Sequence, residues 1–143
     1  MDNIKAYYIN LDKRTEKNID VLEKINFLGF KKENIKRFSA IDGKNLKQDL
    51  ISKNYANDEI LNILRDKKNN FRVGEIGCTL SHYFIYNDIL NNNEIKDEDI
   101  IFIFEDDFFI NEPYLEKNKF ESIINDLKNF DQNYDFDLLY MGG

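Results

Sequence analysis

The stretch IIFIFEDD (residues 100–107) runs five apolar residues straight into three consecutive acids, Glu105, Asp106 and Asp107. Its apolar part is short, β-branched and aromatic, the pattern of a strand buried on both faces. The acids then fall at the carboxyl end of that strand, where open α/β sheets bind their ligands. Clustered carboxylates repel one another and call for a compensating cation. Hard divalent ions that accompany phosphate groups favour such oxygen ligands. The stretch therefore reads as the central strand of a parallel sheet, ending in a candidate metal and diphosphate site.

Working outward, residues 4–10 carry aromatic and β-branched side chains and read as a first strand. A polar turn at residues 11–15 follows, with Thr15 or Asp12 as a candidate helix cap. Ile19, Leu22, Ile25 and Leu28 then repeat at helical spacing, and Gly29 is a natural stop. Residues 35–39 make a short second strand that ends at the turn signal Asp42-Gly43. Residues 46–68 read as one or two helical pieces with Ile60, Leu61 and Leu64 on the apolar side. Residues 71–77 read as a glycine-bearing loop. A helix is expected over residues 79–91, with Leu80, Tyr83, Phe84, Asn87 and Leu90 on one face, and with Thr79 as its cap if the preceding segment is a simple tight turn. Beyond the central strand, Pro113 suits the first turn of a further helix. Phe120, Ile123, Ile124, Leu127 and Phe130 form that helix's inner side. Residues 137–141, DLLYM, read as a last strand. Strands alternating with helices predict an α/β fold, a mostly parallel sheet with helices on both faces, in a single domain over residues 1–143.

The net charge of −7 argues against a nucleic-acid partner. Its distribution is uneven: residues 1–53 hold 12 basic and 8 acidic side chains, and residues 74–143 hold 4 and 16. A basic first third beside an acidic last half suits an anionic ligand held between Arg/Lys and a cation, and equally suits two solvated faces. The lone Cys78 excludes an internal disulfide and the common zinc spacings, and fits a reducing compartment. No basic-then-apolar leader pattern opens the chain, and no apolar run approaches ~18 residues. A soluble protein of cytoplasmic type is expected.

Three further constellations carry candidate chemistry. In the acid triplet, Glu105 and Asp107 form an acid-x-acid pair. Asp107 would ligate a metal, and Glu105 would hold a ribose or a metal-bound water. The segment Gly74-Glu75-Ile76-Gly77-Cys78, followed by Leu80-Ser81-His82, reads either as a glycine-lined helix entrance open to phosphate or as a tight turn. Lys13 and Arg14 follow the first strand at the same sheet edge as the acids, and read equally as a diphosphate grip or as solvated charges at a helix start. Cys78 reads as a small packed residue rather than a nucleophile.

Together the segments YYINLDKRTEKN, RFSAIDG, GEIGCTLSHYFIYNDIL, IFIFEDD and DLLYMGG resemble glycosyltransferase family 25, in order and spacing, over nearly the whole chain. That family includes bacterial lipooligosaccharide β-galactosyltransferases and collagen galactosyltransferases. The resemblance implies a GT-A-type, Rossmann-like fold, here incomplete. It also implies a nucleotide-sugar donor (most often UDP-galactose), Mn²⁺ or Mg²⁺, and inversion at the anomeric carbon. It assigns Glu105, Asp106 and Asp107 to metal and donor, with Asp107 and Glu105 as the metal ligands. Asn10, Leu11 and Arg14 match the segment near the nucleotide, as do Ala40, Asp42 and Gly43. Glu75, Gly77, Ser81 and His82 match the block beside the donor sugar. Members of the family are longer, so the acceptor region and the catalytic base are expected beyond Gly143. The resemblance implies a lipid-linked oligosaccharide acceptor, at the inner face of the inner membrane, with peripheral membrane association. The competing expectation is a non-catalytic nucleotide-sugar-binding module that self-associates through an uncovered last strand.

Overall fold

The computed structural model describes residues 3–65, 72–111, 116, 119–131 and 138–139. Three strands, β1 (Ile4–Asn10), β2 (Ile35–Ser39) and β3 (Ile100–Glu105), form a parallel sheet in the order β2-β1-β3. Five α-helices are described: α1 (Thr15–Phe27), α2 (Leu46–Ser52), α3 (Asp58–Arg65), α4 (Val73–Leu90) and α5 (Lys119–Asp131). Met1–Phe108 forms one compact unit, and Phe109–Gly143, which contains α5, forms a second. In α5, Ile124 is buried, and Phe120, Ile123 and Leu127 are half-buried. Pro113, Leu64 and Phe130 fall outside what is described of side chains.

The central strand is β1 rather than the expected β3; it pairs with β2 from Ala6 to Asn10 and with β3 from Ile4 to Ile9. β1 is buried along nearly its whole length, whereas β3 is only half-buried. A strand flanked on both sides is the one that both helical layers cover. β3 has a single strand neighbour among the described residues. Of the expected last strand, Leu138 and Leu139 lie outside any strand, and the rest falls outside the described residues.

Strand alternation sorts the two faces. Tyr7 and Ile9 point to a core shared with Phe38, Leu50, Ile60, Phe84 and Ile85, which brings α2, α3 and α4 onto that face. Tyr8 points the other way, where its hydroxyl donates to Asn18 Oδ1 of α1 at 2.8 Å. Phe102 and Phe104 of β3 share this face and meet Phe30 edge-on, with centroids 5.5 and 5.9 Å away. Full burial of Val21 and Ile25 anchors α1, each contributing about 1.5–3 kcal/mol. Ile19, expected on this face, is exposed, because the stripe runs through Val21, Ile25 and Leu28. Gly29 ends α1 with φ 89°, as its position predicts.

The largest difference lies at α4. It starts at Val73, so the segment expected as a loop forms its first turns, and its cap position is Arg72 rather than Thr79. Its inner face is Gly77, Ser81, Phe84 and Ile85, whereas Tyr83 and Leu90 are exposed. Similarly, α1 is preceded by Arg14 with no side-chain cap, and neither Thr15 nor Asp12 fills that role. Asp12 instead binds Arg37 and Ser39.

Candidate functional site

The chain leaves β1 through α1 to reach β2, then crosses back to β3 on the far side of β1. A parallel sheet with that order has a topological switch point beside its first strand, and the crevice there opens at the strands' carboxyl ends. A cleft of about 420 Å³ lies at this position. Leu11, Lys13 and Arg14 line it after β1, Ala40, Asp42, Gly43 and Lys44 after β2, and Glu105, Asp106 and Asp107 after β3. The amino-terminal half of α4 closes it with Gly74, Gly77, Cys78 and Ser81.

Strand register builds the floor. Ile9 pairs with Glu105, so the next residues, Asn10 and Asp106, meet side by side. Asn10 Nδ2 donates to Asp106 Oδ2 at 2.9 Å and to the Arg14 carbonyl at 3.1 Å. Its Oδ1 accepts from Arg37 Nε and Nη2 at 3.2 and 3.1 Å. Arg14 Nη1 donates to Asp106 Oδ1 at 3.0 Å. Both oxygens of the buried Asp106 are thus engaged by this chain. The middle acid is a strut that aims Arg14 at the cleft, and Asn10 ties the ends of all three strands together.

The wall after β2 is equally fixed. Asp42 accepts from the Lys44 N–H at 3.1 Å and pairs with Lys13 Nζ from the loop after β1. Asp49 accepts from the Asp42 N–H, and Lys53 Nζ bridges Asp49 to the Ala40 carbonyl. The buried Ser81 hydroxyl accepts from the Ile41 N–H at 2.8 Å and donates to the Gly77 carbonyl at 2.7 Å. Gly77 and Gly43 let α4 touch this loop backbone to backbone. A Cβ on Gly77 would stand 2.7 Å from the Ile41 carbonyl oxygen, and one on Gly43 would stand 1.8 Å from that of Val73. The second glycine of GEIGC therefore serves close packing, whereas a Cβ on Gly74 would meet open space.

The Lys13 hydrogen bond holds the Asp42 carboxyl below the usual carboxylate range. Burial pushes Asp12 upward, but hydrogen bonds from Arg37 and Ser39 outweigh it, so Asp12 also titrates low. Groups with depressed folded-state values contribute stability that is full above the unfolded carboxylate value of about 3.9. That stability disappears as pH falls through the lower folded-state value. Between pH 5 and 2 the urea midpoint of the wild-type chain is therefore expected to fall more steeply than that of Asp42→Asn. Parallel curves for the two proteins would contradict this.

Alternation sends Glu105 to the face of α4. There its Oε1 accepts from Cys78 Sγ at 3.6 Å and lies 3.1 Å from His82 Nε2. Burial, followed by the nearby Glu105 and Asp107 carboxylates, pushes the Cys78 thiol up. His82 Nδ1 is buried with no hydrogen-bond partner among the described residues. Glu105 and Asp107 are exposed at the cleft, so the outer two acids, and not Asp106, are suited to a hard cation.

Of the residues expected from sequence, Leu11, Arg14, Ala40, Asp42, Gly43, Gly77, Ser81 and the three acids line one cleft. Asn10 lies beneath it, His82 stands behind Glu105, and Glu75 is exposed on α4 beside Arg72. Lys44 and Cys78 also line the cleft, and Arg37 supports it from below. The four-residue spacing of Cys78 and His82, which places both on one helix face, is the signal that marks Cys78.

The described helices include none long and apolar enough to cross a membrane. No solved structure matches the chain. A "Glycosyltransferase 25 family member" of Anopheles gambiae is 29% identical over 141 residues, covering 95% of this chain and 21% of that protein. One of Aedes aegypti is 29% identical over 138 residues, covering 95% and 20%. The chain thus spans about a fifth of the length of these relatives. The profile described as "Glycosyltransferase family 25 (LPS biosynthesis protein)" matches residues 3–140. With nearly its whole length inside that match, the chain belongs to glycosyltransferase family 25.

Proposed function

We propose that this chain is the donor-binding part of an inverting glycosyltransferase that takes a nucleotide sugar of the UDP-galactose class. One observation carries the reading: cations and carboxylates face one another across a single cleft at the carboxyl edge of the sheet. Lys13, Arg14 and Lys44 bring positive charge to it, and Glu105 and Asp107 bring negative charge. A diphosphate alone suits the first group, and a divalent cation suits the second. The donor of such a transferase brings both together.

In this reading Arg14, aimed by Asp106, grips the diphosphate, and Asp42 at the other wall meets the nucleoside. Asp107 and Glu105 hold Mn²⁺ or Mg²⁺, which when bound supplies Lewis-acid stabilisation of the departing nucleoside diphosphate. The backbone N–H groups at the start of α4 add a fixed partial positive charge beside Gly74. The family description as an LPS biosynthesis protein supports a lipopolysaccharide-type, lipid-linked oligosaccharide acceptor; in this reading the chain meets it at the inner face of the inner membrane by peripheral association.

Calorimetric titration of UDP-galactose, UDP-glucose and UDP tests this, with Mn²⁺ and then with EDTA. UDP binding that needs the cation is expected, weakened about 10–100-fold in Asp107→Ala. The sugar that tightens binding most names the donor. Absence of UDP binding with either cation would overturn the proposal.

A further inference from the structure

Cys78, His82 and Glu105 offer one sulfur, one nitrogen and one oxygen ligand from two elements, all within 4.8 Å of one another. Cys78 and His82 project from successive turns of α4, and Glu105 reaches them from the end of β3. Tetrahedral Zn²⁺ binds thiolate at about 2.3 Å and imidazole or carboxylate at about 2.0 Å. At tetrahedral angles those lengths separate sulfur from oxygen by about 3.5 Å, and nitrogen from oxygen by about 3.3 Å. The chain holds Sγ–Oε1 at 3.6 Å and Nε2–Oε1 at 3.1 Å. Two edges of the coordination tetrahedron thus lie within about 0.2 Å of the ideal separations.

We propose that Cys78, His82 and Glu105 form a three-ligand site for a borderline-soft divalent ion of the Zn²⁺ class, with its fourth position open to the cleft. A thiolate and an imidazole select such an ion over Mg²⁺ or Mn²⁺, which favour oxygen. Asp107, which would serve a hard cation, is not among the three ligands. Glu105 belongs to both sets, so the two kinds of ion compete for its carboxylate. Zn²⁺ at this site would take Glu105 from the hard-cation pair and occupy the cleft wall.

Co²⁺ titration of the purified chain, read by absorption, tests the site without any nucleotide. A thiolate-to-Co²⁺ charge-transfer band with intense tetrahedral d–d bands is expected. The band should vanish in Cys78→Ser, weaken at least tenfold in apparent affinity in His82→Gln, and persist in Asp107→Ala. A companion measurement needs no variant: Zn²⁺, but not Mg²⁺, should slow iodoacetamide alkylation of Cys78, the chain's one cysteine, at least tenfold. The proposal is overturned by Co²⁺ binding without the band, by a band undiminished in Cys78→Ser or His82→Gln, or by alkylation that ignores Zn²⁺. Because no arm contains UDP, these outcomes are independent of whether the donor reading holds.

Discussion

Gly43→Ala is expected to be the most damaging single-methyl change in the cleft, lowering stability by about 3 kcal/mol. The added Cβ would stand 1.8 Å from the Val73 carbonyl oxygen, a backbone atom that no rotamer change can move. Relief requires α4 to retreat from the loop after β2, which breaks the Ser81 hydrogen bond to the Ile41 N–H. Gly74→Ala is the matched control. It meets open space within the same helix, so alanine there should be neutral or stabilising by up to about 1 kcal/mol. Urea denaturation of both variants measures the difference. Equal midpoints would show that the backbone contact between α4 and the loop does not constrain the fold.

Asp106→Ala is expected to lower stability by about 2–3 kcal/mol and to weaken diphosphate binding as well. The stability loss arises mainly at Asn10, which is 1% exposed and would lose the acceptor for one of its amide protons. The binding loss arises at Arg14, whose guanidinium would lose the carboxylate that aims it. Asp106→Asn should fail to rescue either effect. An amide offers one acceptor where two donors, Asn10 Nδ2 and Arg14 Nη1, converge, and its own NH₂ would face one of them. Thermal melts and UDP titrations on both variants check this. A fully stable Asp106→Asn chain that binds UDP like wild type would show that the buried charge is dispensable.

These two positions also show what the sequence could and could not disclose. Local signals read true where local physics decides: the aromatic and β-branched residues of β1, the positive-φ stop at Gly29, and the acids at the end of β3. The start of α4 was hidden because Arg72, at the cap position, makes no side-chain cap and two glycines argue against helix on propensity. Packing overrides that propensity, since only glycine lets the helix meet the loop at Gly43. The central position of β1 rather than β3 depends on strand order, which composition does not encode. The division of labour within Glu105-Asp106-Asp107 likewise depends on register. Three adjacent acids look alike until pairing sends one to α4, one to Asn10 and one to solvent.

The strand order also bears on how the chain reaches its native state. Arg37 meets Asn10 across 27 residues, whereas Asp106 meets it across 96. Loop-closure entropy rises with separation, and long-range parallel pairing is slow. The basic half of the cleft is therefore assembled from early, near neighbours, and the acidic half arrives only when β3 docks. During synthesis Lys13 can meet Asp42 early, but Arg14 must wait for Asp106, 92 residues further on. A polyanion in the surroundings has that interval in which to find Arg14 before Asp106 does.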